Sequence, residues 1–275
     1  MLEALQFEFM RNAIAAGVLV SIACGIIGSL VVINRIVFIS GGIAHAAYGG
    51  IGMGYFFGFN PVLGAMIFAL VSALGMGWVE RKFQERSDTI IGVMWAIGMA
   101  TGIILIDLTE GYKAGLENYL FGSILAVPQQ DLIMMLVLDV IILLLVVLFY
   151  KELLAISYDP VYATTRNIPV DSLYLLLIGA IALTVVMVMQ IVGLIMVIAL
   201  LTIPGAIATQ IVKELKQMMI IASILGIIFT LIGLYLSYVF NLTSGATIIL
   251  VAGITYFISL IIPKLLIAKR KLLKQ

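Results

Sequence analysis

The sequence predicts an all-α, polytopic membrane protein of about nine transmembrane helices, with eight to ten compatible with its apolar runs. Three observations carry that class. Hydrophobic residues make up 64% of the chain and charged residues 11%, against about 45–50% and about 25% in ordinary soluble domains, and mean hydropathy is +1.25. Apolar runs of about 20 residues, the length a helix needs to cross a hydrocarbon core of about 30 Å, recur along nearly the whole chain. Basic residues also alternate between connections. Apart from Arg11 and Lys113, every Lys and Arg lies at Arg35, at 81–86, 151–166 or 213–216, or in the tail from Lys264 onward. Cytoplasmic connections collect such residues, so these are expected inside, with the carboxyl terminus inside and the amino terminus outside.

The first run, 13–33, follows "MLEALQFEFMRN", which carries Glu3 and Glu8 and has no basic n-region. It is therefore expected to be retained as a span and not removed as a signal peptide. The second, 39–57, is the glycine-rich "ISGGIAHAAYGGIGMGYFF". The third and fourth, 61–79 and 89–108, flank the basic group Arg81, Lys82 and Arg86. Residues 109–131 form an outer loop with Glu110, Glu117 and Asp131 against Lys113, and a short amphipathic helix is expected in "LENYLFGSIL". The loop either receives an external partner or is a re-entrant connector.

The fifth run, 132–150, holds Asp139. Residues 151–171 form an inner connection in which Pro160 and Pro169 bracket a short helix, opened by Asp159 as N-cap with Pro160 at the first helical position. The sixth and seventh runs, 172–191 and 193–212, follow. Pro204 and Gly205 predict either a plain kink in the seventh or a helix break, of the kind tolerated where it lines a cavity or packs on protein. The eighth and ninth, 218–239 and 246–267, are joined by "NLTSG", either a simple turn or a helix start facing an outer vestibule. The tail "AKRKLLKQ" is the usual basic flank of a last span. The whole of 1–275 reads as one transmembrane domain.

Chemistry concentrates in the second run. Gly42, Ala46, Gly50, Gly54 and Gly58 recur every fourth position, a small-residue stripe that lets helix backbones approach closely. His45, the one histidine in the chain, lies just off that stripe, with Gly41 and Gly49 one turn away on either side. An ionisable residue inside a membrane is a functional candidate, and imidazole is a common metal ligand. The alternative is a neutral histidine bonded to a carbonyl. Asp139 is either a pathway carboxylate, half of a proton relay, or a paired structural acid. Gln190 and Gln210 bracket the seventh run.

Much is excluded. A net charge of +1 argues against a nucleic-acid partner. Cys24 stands alone, so no intramolecular disulfide forms. No HxxxH, CxxC or DxxxH spacing occurs, and a single histidine cannot build a closed tetrahedral site. The set suits transient handling of an ion and not storage. No G-x-x-x-x-G-K-[ST] phosphate loop is present, nor a Ser/His/Asp set. Catalysis by this chain alone is not expected.

Three stretches in order, "GGIAHAAYGGIGMGYFFG", "VGLIMVIALLTIPGAIATQIV" and "SGATIILVAGITYFISLI", resemble the membrane permeases of ABC importers for zinc, manganese and iron(II), the ZnuB/MntB/TroC-like group. "NYLFGSILAVPQQDL" and "YDPVYATTRNIPVDSLY" also fit. The resemblance runs over nearly the whole chain and implies the ABC importer permease fold. It implies a homodimer in a prokaryotic cytoplasmic membrane, seated on two cytoplasmic ATPase subunits that bind the ATP, and fed by an extracytoplasmic metal-binding protein. No cofactor is implied in this chain, and the divalent metal ion is substrate. Within 159–171, the coupling helix on this analogy, Asp159, Pro160, Ala163, Arg166 and Asn167 are the candidate ATPase contacts. His45 carries over as a transient pathway ligand, with Asp139 a second candidate. Many relatives carry an aspartate four residues before the histidine; here that position is Gly41. Zinc is placed first on the softness of imidazole, ahead of manganese and iron(II). Transport would proceed by alternating access. The competing reading is a proton-coupled secondary transporter or channel using His45 and Asp139.

Overall fold

A computed structural model describes residues 6–83, 86–110 and 116–272. Its helices are α1 (Glu8–Asn34), α2 (Val37–Phe57), α3 (Pro61–Lys82), α4 (Ser87–Leu108), α5 (Leu116–Phe121), α6 (Gln129–Leu148), α7 (Tyr150–Tyr158), α8 (Pro160–Thr165), α9 (Val170–Val192), α10 (Val197–Ile211), α11 (Leu215–Phe240) and α12 (Ser244–Leu272). Single 3-10 turns stand at Ile124–Ala126 and Leu194–Met196. Among the described residues, eight segments are long and apolar enough to cross a membrane, the turn at Leu194 counting with α10. The remaining expected span is α2, whose glycines dilute its hydropathy over 21 residues. Lys113 lies outside the described residues.

Helices in lipid gain nothing hydrophobic from meeting one another, so close packing of small residues and hydroxyl hydrogen bonds hold them together. α1 packs chiefly on α11. Gly17, Gly25 and Gly28 bring its backbone against Thr230, Ser223 and the Leu201 carbonyl, and the Ser21 and Thr230 hydroxyls meet at 3.2 Å. α2 packs against both α3 and α4 in the same way. Gly50 faces the backbone of Gly64, Gly52 that of Gly102, and Gly54 that of Pro61, while Gly42 abuts Met76 and Ile91. Gly58 belongs to the stripe only in sequence: at φ 73° it is the left-handed residue that ends α2. α9 threads the middle of the bundle, buried without interruption from Thr184 to its end.

The expected helix break at Pro204 and Gly205 is corrected: α10 runs through both as one helix from Val197 to Ile211. Gly205 instead packs on the backbone of Gly28 and Ser29. The interruption stands at Gly193, with φ 79° and ψ 161°, a conformation essentially closed to residues with a side chain. Glycine is required there because Gly193 lies against the backbone of Leu120, Phe121 and Gly122, and Gly245 closes on Val192 and Phe121. Three distant segments thus meet backbone to backbone.

The inner connection is also more structured than expected, because α7 occupies Tyr150–Tyr158 and buries Leu153 and Ile156. α8 follows with the expected cap, the Tyr162 amide donating to Asp159 Oδ1 at 2.8 Å and Pro160 in the first turn. Beside it, Arg81 at the end of α3 is ion-paired to Asp171 at the start of α9, and the Tyr174 hydroxyl donates to Glu80.

Candidate functional site

Along α2 every residue from Ile39 to Gly52 is buried except His45, which is partly exposed. In the stretch that glycine seals against two neighbours the imidazole stands at the one break in burial. His45 Nδ1 lies 2.9 Å from the Gly41 carbonyl oxygen. A carbonyl can only accept, so Nδ1 carries a proton, and in the neutral ring Nε2 is the nitrogen left with a lone pair. The ring tilts against the Trp95 indole of α4, centroids 4.2 Å apart at 38°, and Phe38 reaches the other part of Trp95 at 6.1 Å. Both neighbours escaped the reading of the sequence. The signal available was Trp95 itself, one of two tryptophans in the chain, in the middle of an apolar run.

Gly41 and Gly49 do not flank an open groove around the ring. A Cβ at Gly41 would meet the terminal methyl of Ile198 on α10 at 2.6 Å, and one at Gly49 would meet the Gly98 carbonyl and Phe68. Next to Trp95, α4 presents Gly92, Ala96 and Ala100 at intervals of four. Ala96 and Ala100 are exposed, and no atom lies within 4 Å of a Cβ built on Gly92.

Asp139 is not brought to His45. It is buried at 4% exposure on α6, which packs mainly against α1, and neither of its carboxylate oxygens has a hydrogen-bond partner among the described residues. An unpartnered carboxyl contributes cost and no contact. Replacing it by the near-isosteric Asp139→Leu is therefore expected to hold or raise thermal stability, by up to about 1–3 kcal/mol, read as the melting temperature in detergent. A drop in melting temperature would show that the carboxyl has a partner. Gln190 is buried on α9 with its amide likewise unpartnered, whereas exposed Gln210 donates back to the Ala206 carbonyl at 3.3 Å.

The expected ATPase contacts divide. Ala163 is fully buried, facing the bundle and not a partner, because α8 turns its small side inward. Arg166 folds back over the Tyr162 ring and donates to its hydroxyl at 3.0 Å, Asp159 is occupied as a cap, and Asn167 makes the left-handed turn after α8 at φ 57°. Pro160 stays exposed. Of the side chains that α8 holds outward, the large apolar ones are Val161, 74% exposed, and Tyr162, 50% exposed. At the Gly193 end, burial pushes the Tyr119 phenol of α5 up to about 12, with Tyr55 and Asp131 adding to the effect. It remains a neutral donor at working pH.

The chain is similar over its whole length to known membrane proteins. A membrane protein of Synechocystis sp. is 70% identical over 260 residues, 94% of this chain and 92% of that one. The manganese transport system membrane protein MntC of Listeria monocytogenes is 38% identical over 270 residues, covering 97% and 96%. In three dimensions the model superposes on a chain of PsaBC from Streptococcus pneumoniae, solved in complex with Fab, with a TM-score of 0.85 at 32% identity over 94% and 93% of the two chains. With the family model matched over residues 6–263, this multi-pass membrane protein belongs to the ABC 3 transport family.

Proposed function

We propose that the chain is the membrane-spanning subunit of an ATP-driven importer of a divalent first-row metal ion, manganese before zinc or iron(II), working as a pair of identical copies. The observation that carries the metal reading is His45, the one residue not buried between Ile39 and Gly52 of α2, with its Nδ1 held by the Gly41 carbonyl. Softness alone favours zinc for an imidazole. Manganese moves ahead because relatives 38% and 33% identical are named manganese transport proteins, and because a lone imidazole completed by water suits an ion that must also leave.

Two copies would meet along Gly92, Ala96 and Ala100 of α4, a small-residue stripe left largely uncovered by the described residues, and the meeting would bring the two His45–Trp95 pairs together. The α7–α8 end, with the basic connections, faces the cytoplasm on this reading, and so does the carboxyl terminus. The ATPase subunits, which bind ATP, dock on Val161 and Tyr162, and the Arg81–Asp171 pair transmits their motion from α9 to α3 and so to α2. The extracytoplasmic binding protein delivers the ion at the α5 end. A proton relay through Asp139 finds no support, since Asp139 and His45 lie in different helix packings.

The test is uptake into proteoliposomes holding this chain, its ATPase and its binding protein. ATP-dependent manganese uptake is expected, exceeding that of zinc and iron(II). Uptake that persists without ATP, or no uptake of any of the three ions, would overturn the reading.

A further inference from the structure

Where α1, α6 and α11 meet, a groove of about 420 Å³ opens on the bilayer-facing surface. Ile26, Leu143, Val146 and Met219 wall it, and Tyr150 and Lys216 stand at its mouth. The same two residues line a second cleft of about 680 Å³ between α7, α8 and the connection from α10 to α11. The two spaces therefore adjoin at these side chains, the first lined by apolar residues and the second bordered by charged ones. Met219 lies one turn along α11 from Lys216, ~5 Å deeper.

The charges at the polar end are unbalanced in use. Lys151, Lys213 and Lys216 line it, all exposed, and none has an ion pair among the described residues. Its two carboxylates are already engaged: Asp159 caps α8, and Glu214 accepts from Gln217 Nε2 at 2.7 Å. The Tyr158 hydroxyl donates to the Lys213 carbonyl at 3.2 Å, which holds the cleft's two walls together.

We propose that this cleft binds an anionic phospholipid, with its phosphate at Lys151, Lys216 and the Tyr150 hydroxyl and one acyl chain in the groove. Basic pockets between transmembrane helices recognise such headgroups, and the apolar extension is what a soluble anion would leave unused. The bound lipid would tie α1, α6 and α11 to α7, so that the segment leading into α8 moves with the bundle.

Native mass spectrometry of the full chain, delipidated and titrated with phosphatidylglycerol or phosphatidylcholine, tests this. Retention of phosphatidylglycerol over phosphatidylcholine is expected, with a loss of roughly tenfold or more in the K151Q/K216Q variant. K82Q, whose ammonium instead sits over the Trp78 ring at 4.6 Å, should bind as wild type does. I26W keeps every lysine but fills the groove, and should lose the lipid as well. Equal retention of the two lipids, or undiminished phosphatidylglycerol in K151Q/K216Q, would overturn the proposal. So would undiminished binding in a folded I26W, which would mark a bare phosphate site. Should I26W fail to fold, the lysine variant decides alone.

Discussion

His45→Ala is expected to lower ATP-dependent metal uptake by about 10–100-fold, the scale of loss when a metal site is stripped of a supporting group, with the permease still assembled and its ATPase still turning over. The reasoning is positional. His45 interrupts the buried run of α2 and is oriented by its Nδ1 bond to the Gly41 carbonyl, so on the proposed reading it is the group that an ion passing along this face would meet. Its structural share is small, because a half-exposed ring stacked on Trp95 contributes ~1 kcal/mol through that contact. Transport and stability should therefore separate. His45→Gln, which keeps a polar atom of similar reach, should recover part of the uptake, whereas Trp95→Leu should lower it less than His45→Ala does. Uptake within twofold of wild type in His45→Ala would make the imidazole a packing residue.

Gly50→Leu is expected to yield no folded protein. Gly50 and Gly64 each hold the other's carbonyl where a Cβ would stand, so a side chain at Gly50 meets backbone and has no rotamer of escape. Ordinary overpacking costs about 1–3 kcal/mol because neighbours shift. Here the shift must separate α2 from α3 along their whole crossing, with Gly54 against Pro61 one turn away. The control is Gly253→Ala on α12, where a Cβ meets nothing within 4 Å and a helix interior should gain about 0.5–1 kcal/mol. Fluorescence-detected size-exclusion chromatography reads both: a monodisperse peak for Gly50→Leu would refute the backbone-contact argument.

The spans were legible because the signal for each is local: a run of apolar side chains and a polar end. The α8 cap was legible for the same reason, Asp159 and Pro160 acting within one turn of themselves. α7 was missed because Lys151, Glu152 and Ser157 read as a polar connection, and only Leu153 and Ile156 face inward. The break was assigned to Pro204 because proline carries its conformation in its ring, while the angles of Gly193 go with the close approach of Gly122, which lies 71 residues earlier in the chain. His45 stood out by chemistry alone. Its platform, Trp95, lies across a helix crossing, and nothing in the spacing of α2 points to it. Asp139 stood as a second candidate beside it, since a mid-span position in the sequence says nothing of which helix a carboxyl will face.

The pairing of α1 with α11 has a consequence for how the protein is made. Ser21 and Thr230 are 209 residues apart, and at a synthesis rate of about 5–20 residues per second the first helix waits roughly 10–40 s for its main partner. During that interval the Ser21 hydroxyl is satisfied within α1 by the Gly17 carbonyl at 2.6 Å, so what stands open is a seam of small residues at Gly17, Ser21 and Gly25, against which lipid chains pack until α11 arrives. A ribosome that stops before α11 releases a product whose first helix is in the membrane and unmatched, and quality control has that seam to detect.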